Sequence, residues 1–432
     1  MALATTVKRL GLADALVRRN PVLYARAARS IRALENRDGV DFPRRLDERL
    51  AATLRAAART AYGRSLGAPR DLREWPILEK QLLRERPLDF INGGALWSVG
   101  AATSGTSGTP LQLRRSLASV AYEQAVIDRC LERFGVSPSR CRGAVLRGDD
   151  VKPPSERQPP FWRQANGGRR LLFSSNHLDA ETLDAFVEAL REYAPDVLFA
   201  YPTVLDALCV LMIERGEKLS IPLTVCSSET LTRATCEAAT RALGTRILDY
   251  YGQAERVAFA SGNPVEGYRF HPGYSVNELH PLEEDGDSVI YELIATGLSN
   301  DVMPLVRYRT GDKVRLAHDA DPLAVARGDA PFHGIIGRSD DVLISPTGAR
   351  LTGIDHIPRG VVGVIRAQFI QESPTDVRLL IMPAEGFDDR SRALLMEHAA
   401  LKLPPTMTLR LELTTQLERT PSGKAPLVIR RI

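Results

Sequence analysis

Between residues 143 and 249, short apolar runs alternate with helical patterns. Residues 143–148, 171–173, 197–200, 223–226 and 246–249 read as strands, and 178–193, 203–215 and 232–243 as helices. Short connections between alternating strands and helices predict an α/β sheet with crossover helices. Ligands in such sheets sit at the carboxyl ends of the strands. The loops after Cys226 and Leu248 are therefore where chemistry is expected.

The flanks differ. Residues 1–70 are rich in Ala, Leu and Arg and read as helices, with Asn20-Pro21 as a break. Such a helical segment packs on the main body or on another subunit. Trp75 to Lys80 reads as a turn entering a helix, and 116–134 as a long helix. From residue 255 the pattern turns β-rich, with strands expected at 268–270, 274–279, 288–295 and 305–309 and a hairpin turn at Asp285-Gly286-Asp287. A boundary is placed at 339–341. The expected division is 1–70 helical, 71–339 a large N-terminal domain whose 255–335 part is β-rich, and 340–432 a small α+β domain.

Composition narrows the function. A net charge of +4 over 432 residues gives no support to nucleic-acid binding. Five cysteines without a C-x-x-C pair argue against a disulfide framework and fit a reducing, cytoplasmic setting. The longest apolar run, 197–213, is marginal in length for a membrane span and is broken by Tyr201, Pro202 and Asp206. The N-terminus lacks a signal-peptide core. Only seven of the 57 basic residues are lysines, so each lysine is worth inspecting.

Six loops carry chemistry-bearing residues. The first is Ala102-Thr103-Ser104-Gly105-Thr106-Ser107-Gly108-Thr109-Pro110, with two glycines, two serines and three threonines. Small residues let backbone N–H groups approach an anion closely, and the hydroxyls donate without charge. It reads as a polyphosphate-clasping hairpin loop or as a solvated Ser/Gly turn, and it is no Walker loop. Then follow Ser227-Ser228-Glu229-Thr230, Asp249-Tyr250-Tyr251-Gly252-Gln253-Ala254-Glu255, Tyr308-Arg309-Thr310-Gly311-Asp312, Gly337-Arg338-Ser339-Asp340-Asp341 and Thr420-Pro421-Ser422-Gly423-Lys424.

In this order and spacing the loops resemble those of the adenylate-forming superfamily of acyl-CoA synthetases, adenylation domains and luciferases. Within it the chain is similar to the compact phenylacetate–CoA ligase branch. The resemblance implies attack of a carboxylate on the α-phosphate of ATP, then displacement of AMP by a nucleophile. It implies that residues 103–109 bind phosphate, although Thr109 stands where many members carry Lys, with Arg114 or Arg115 available to compensate. Ser228, Glu229 and Thr230 would pass beside the adenine. Asp249 would accept from the adenine amino group, Tyr251 would supply an aromatic face, and Glu255 would bind Mg²⁺. Glu229 also reads as an N-terminal acid of the 232–243 helix. Asp312 would bind both ribose hydroxyls, Arg338 would reach ribose or phosphate, and Asp340 would be the hinge of a mobile C-terminal domain. Lys424 would contact the α-phosphate and the substrate carboxylate. Tyr201, Phe173, Tyr250 and Phe270 are acyl-pocket candidates, each more readily read as core.

The expectation is an ATP-dependent, Mg²⁺-dependent ligase for a small carboxylic acid, with CoA as first acceptor and no zinc. The segment 257–264 lacks the cysteines that some relatives carry after the magnesium glutamate. An amine or hydroxyl acceptor would make it an amide or ester synthetase, and a carrier-protein thiol a stand-alone adenylation enzyme. A non-catalytic nucleotide-binding scaffold is the alternative of another class. The expected assembly is a monomer or homodimer.

Overall fold

The computed structural model describes residues 17–35, 41–93, 98–102, 111–147, 151, 156, 158–336, 343–346, 350–351, 354, 357–358, 361–419 and 425–432. Helices α1 (Pro21–Glu35), α2 (Phe42–Ala58) and α3 (Ala61–Ser65) come first. The Asn20 carboxamide accepts from the amides of Val22 and Leu23, which starts α1 at the proline. Ala27 and Ile31 of α1 pack into a core shared with Tyr122, Val126 and Cys130. Helix α4 (Lys80–Glu85) precedes strands β1 (Ser98–Ala102) and β2 (Gln112–Ser116), which pair antiparallel from Ser98 opposite Ser116 to Ala102 opposite Gln112.

Helix α5 (Leu117–Arg133) leads into the central sheet: β3 (Gly143–Leu146), β4 (Trp162–Ala165), β5 (Arg170–Phe173), α6 (Leu183–Tyr193), β6 (Val197–Ala200), α7 (Pro202–Arg215), β7 (Leu223–Ser227), α8 (Arg233–Leu243), β8 (Arg246–Gly252), β9 (Phe259–Asn263) and β10 (Gly267–Phe270). Their order is β10-β9-β8-β7-β6-β3-β5-β4. Strands β5, β3, β6, β7 and β8 are mutually parallel, and the edges are antiparallel. The parallel sheet inferred from strand–helix alternation is therefore present. Helix α6 starts at Leu183 and not at 178, because Asp179 Oδ1 accepts from the amides of Glu181 and Thr182 and closes a turn there.

A second sheet, β11 (Ser275–Asp285), β12 (Ser288–Gly297), β13 (Tyr308–Ala317) and β14 (Gly334–Ile336), is antiparallel, with α9 (Pro322–Arg327) between β13 and β14. The hairpin expected at 285–287 joins β11 to β12, with Gly286 at φ 60°. The strand expected at 305–309 instead runs from Tyr308 to Ala317. Opposite Leu293 its register shifts, because Gly311 at φ 76° turns the chain within the strand.

Beyond this lie β15 (Leu343–Ile344), β16 (Arg350–Leu351), β17 (Val364–Gln371), β18 (Asp376–Pro383), α10 (Asp389–Ala400), β19 (Thr408–Leu413) and β20 (Val428–Arg430). Strands β19-β18-β17-β20 form a mixed sheet with its own core around Phe369, Leu379 and Leu395. Ile365 of β17 reaches into the core of the central sheet. The boundary expected at 339–341 lies outside the described residues. No helix among the described residues is long and apolar enough to cross a membrane.

Candidate active site

The carboxyl end of β8 meets the start of β13 through the Tyr251–Asp312 hydrogen bond. Sequence dictates the meeting locally. Thr310 Oγ1 donates to the Leu293 carbonyl at 2.8 Å and accepts from the Asp312 amide at 3.0 Å. The bulge so closed presents Asp312 toward β8, where the Tyr251 hydroxyl donates to Asp312 Oδ2 at 2.6 Å. Gln253 Nε2 donates to the same Tyr251 oxygen, while Gln253 Oε1 accepts from the Ala258 amide at 3.1 Å. Tyr251, Gln253 and Asp312 thus form one connected polar group.

Two further carboxylates stand beside it. Tyr308 donates to Glu255 Oε1 at 2.9 Å, and Glu255 Oε2 is buried without a hydrogen-bond partner. Tyr268 donates to Asp249 Oδ2 at 2.7 Å, and Asp249 Oδ1 is likewise buried and unpartnered. Burial pushes the Asp249 carboxyl up to about 6, against the opposing hydrogen bond from Tyr268. A buried carboxylate oxygen without a donor is costly unless something supplies one. These open oxygens suit a divalent cation at Glu255 and an N–H donor at Asp249. Among the described residues no three His, Cys, Asp or Glu side chains converge as a metal cluster.

The segment Ser228-Glu229-Thr230 follows β7, with Ser228 in the left-handed region at φ 74°. Glu229 Oε2 accepts from the amide and hydroxyl of Thr203 at 3.1 and 2.7 Å. The acid therefore sits at the start of α7, whereas Thr232 caps α8. Arg366 of β17 donates to the same Thr203 hydroxyl at 2.9 Å, which ties this loop to the C-terminal sheet. The Ala254 carbonyl accepts from Arg115 Nε at 3.1 Å, so Arg115 is committed to the backbone beside Glu255. Gly252 ends β8 opposite Phe259.

The pocket candidates separate. Phe173 lies in the core of the central sheet, stacked on Phe186 at 5.3 Å, and Phe270 stacks on Phe332 at 4.8 Å within the second core. Both rings are fully buried, as apolar side chains on the interior face of a strand must be. Tyr250 stacks on Phe259 at 5.6 Å. Tyr201 is half-buried at the carboxyl end of β6. Residues Thr103 to Thr109, Arg338, Asp340 and Lys424 lie outside the described residues. Sequence reasoning assigned no role to Tyr308, Tyr268 or Lys80. Tyr308 was legible as the first residue of Tyr-x-Thr-Gly-Asp, and Lys80 as one of few lysines.

Residues 343–431 match the family model "CapK C-terminal domain". Protein CapK of Staphylococcus aureus is 23% identical over 368 residues, covering 84% of this chain and 81% of that protein. Phenylacetate-coenzyme A ligase of Escherichia coli (strain K12) is 27% identical over 300 residues, covering 63% of each. A solved 2-hydroxyisobutyryl-CoA ligase, in a postadenylation state with R3-HIB-AMP, superposes with a TM-score of 0.59 at 14% identity, over 91% of this chain and 90% of that one. The chain is thus similar to CapK and to phenylacetate-coenzyme A ligases, and it shares its fold with a solved acyl-CoA ligase. The polar group at β8 and β13 coincides with two of the motifs that carried the resemblance, Asp249 to Glu255 and Tyr308 to Asp312.

Proposed function

We propose that the chain activates a small carboxylic acid with ATP, releases pyrophosphate, and passes the acyl group from the acyl-adenylate to the thiol of CoA. The observation that carries this reading is the pair of open carboxylate oxygens, Asp249 Oδ1 and Glu255 Oε2, flanking the Tyr251–Asp312 bond at the carboxyl end of a parallel sheet. In this reading Asp249 accepts from the adenine amino group, and Tyr251 lies along the base. The Asp312 carboxylate holds the ribose hydroxyls, with Tyr251 and Thr310 fixing its orientation. Glu255 and phosphate oxygens hold Mg²⁺, which supplies charge neutralisation at the phosphates. Ser228, Glu229 and Thr230 border the base. Thr103 to Thr109 clasp the phosphates, and Lys424, with Arg338, brings positive charge to the reacting centre when the domain hinged at Asp340 closes. Tyr201 borders the acid.

The acyl-adenylate is attacked at its carbonyl carbon by the acceptor thiolate, the carbon–sulfur bond forms, and AMP departs with the electron pair of the acyl–oxygen bond. The test is a panel of aryl and short-chain acids with ATP and Mg²⁺, trapping the adenylate with hydroxylamine and then replacing hydroxylamine by CoA. Hydroxamate with one acid class, and a CoA thioester of the same acid, is expected. Hydroxamate without thioester would move the reading to a carrier-protein or amine acceptor. Neither product from a folded protein would overturn it.

A further inference from the structure

Residues 102–110 contain no charged side chain, so fixed positive charge at the phosphates has to come from elsewhere. Arg115 is spent on the Ala254 carbonyl, and burial lowers its pKa. Lys80 is placed differently. Its segment is stitched to β13: the Leu78 amide donates to the Arg307 carbonyl at 2.9 Å, and the Arg309 amide donates to the Leu78 carbonyl at 3.0 Å. Glu79 pairs with Arg309 at 2.8 Å. This stitching brings the first residue of α4 to the carboxylate that Tyr308 also holds.

Lys80 Nζ lies 3.9 Å from Glu255 Oε1, with side chains 27% and 2% exposed. That separation is an ion pair without a hydrogen bond, so a partly exposed ammonium with three donors stands beside a carboxylate that still has one open oxygen. An ammonium and an open carboxylate oxygen side by side fit a polyphosphate with its cation: the ammonium meets phosphate oxygen, and the carboxylate meets the metal. We propose that Lys80 is a catalytic residue that contacts the β- and γ-phosphates of ATP and neutralises the pyrophosphate as it leaves. This rests on the acid-activating reading above. In the step concerned, a substrate carboxylate oxygen bonds to the α-phosphorus. The bond from that phosphorus to the α–β bridging oxygen breaks, and its electron pair departs on pyrophosphate. No proton is transferred, so a fixed ammonium serves throughout.

The experiment compares wild type, Lys80→Met and Lys80→Arg. Calorimetry with magnesium pyrophosphate and with MgATP needs no acid. Lys80→Met should bind both about 10-fold more weakly, and Lys80→Arg should recover most of the loss. Acid-dependent exchange of pyrophosphate into ATP should fall about 100-fold in Lys80→Met, with a raised KM for pyrophosphate. Acyl transfer from preformed acyl-adenylate should remain within about threefold. If Lys80 only neutralises Glu255, Lys80→Met loses thermal stability while its pyrophosphate affinity matches wild type, and the proposal is overturned. Wild type that binds pyrophosphate but exchanges with no acid overturns the proposed function, leaving Lys80 judged by the binding comparison. Wild type that binds neither polyphosphate overturns both.

Discussion

Asp249 combines a buried charge with an open oxygen, and replacing it by Asn separates the two. Its carboxyl titrates at about 6 in the fold because burial disfavours the anion. An unfolded Asp titrates at about 3.9. The folded state therefore holds the proton more tightly, and the stability linked to this group is greatest at low pH. It declines as pH rises from about 4 through about 6 and is level above that. Integrated over that window, the anion costs about 3 kcal/mol at pH 8 and roughly half of that at pH 5. Asp249→Asn keeps an acceptor for Tyr268, carries no charge, and adds a pH-independent cost for its buried amide. Subtracting the two pH values removes that cost. The stability difference between variant and wild type should move in favour of the variant by on the order of 1 kcal/mol from pH 5 to pH 8. Urea unfolding at both pH values measures it. A difference that stays constant, or that moves the other way, would refute the buried-anion account. ATP affinity carries the same signature. An N–H donor at Oδ1 prefers the anion, so wild-type affinity should rise between pH 5 and pH 8, while the variant's stays flat.

Three other changes probe the supports of the site. Tyr308→Phe removes the 2.9 Å hydrogen bond to buried Glu255. It should cost about 1.5–3 kcal/mol by calorimetric unfolding, and an unchanged transition would show that Glu255 is held otherwise. Gly311→Ala places a Cβ on a residue at φ 76°. A loss of about 1–2 kcal/mol is expected, with weakened ATP binding as the bulge that presents Asp312 relaxes, and intact ATP affinity would contradict that role. Glu229→Ala leaves the Thr203 amide and the buried Arg366 without their anionic neighbour. It should lower stability by about 1–2 kcal/mol and make the link between residues 361–432 and the central sheet more open to protease, whereas unchanged proteolysis would deny the coupling.

Much of the fold was legible because period and punctuation are local signals. Strand–helix alternation between 143 and 249 specified the parallel sheet, and Asp285-Gly286-Asp287 specified the hairpin. The start of α6 was misread, because the Asp179 side chain competes for the amides that would begin the helix. The strand at 305–309 was misplaced, because a glycine in a strand reads as an end when it is in fact a bulge. In the site, Glu255, Tyr251 and Asp312 were legible as motif residues. Their mutual contacts were not, since the Tyr251–Asp312 bond joins strands 61 positions apart. Lys80 and Tyr308 meet Glu255 through the non-local pairing of Leu78 with Tyr308, which no periodicity encodes. Phe173 and Phe270, pocket candidates more readily read as core, have both rings buried in the core.

The central claim is that these carboxylates serve acid activation by ATP. Carboxylate-dependent exchange of pyrophosphate into ATP, run on wild type and Glu255→Gln, tests it most directly. Wild type should exchange with at least one acid on a broad panel, and Glu255→Gln should exchange about 100-fold more slowly with that acid. A folded wild type that exchanges with none of them, or a Glu255→Gln variant that exchanges as fast, would contradict the account.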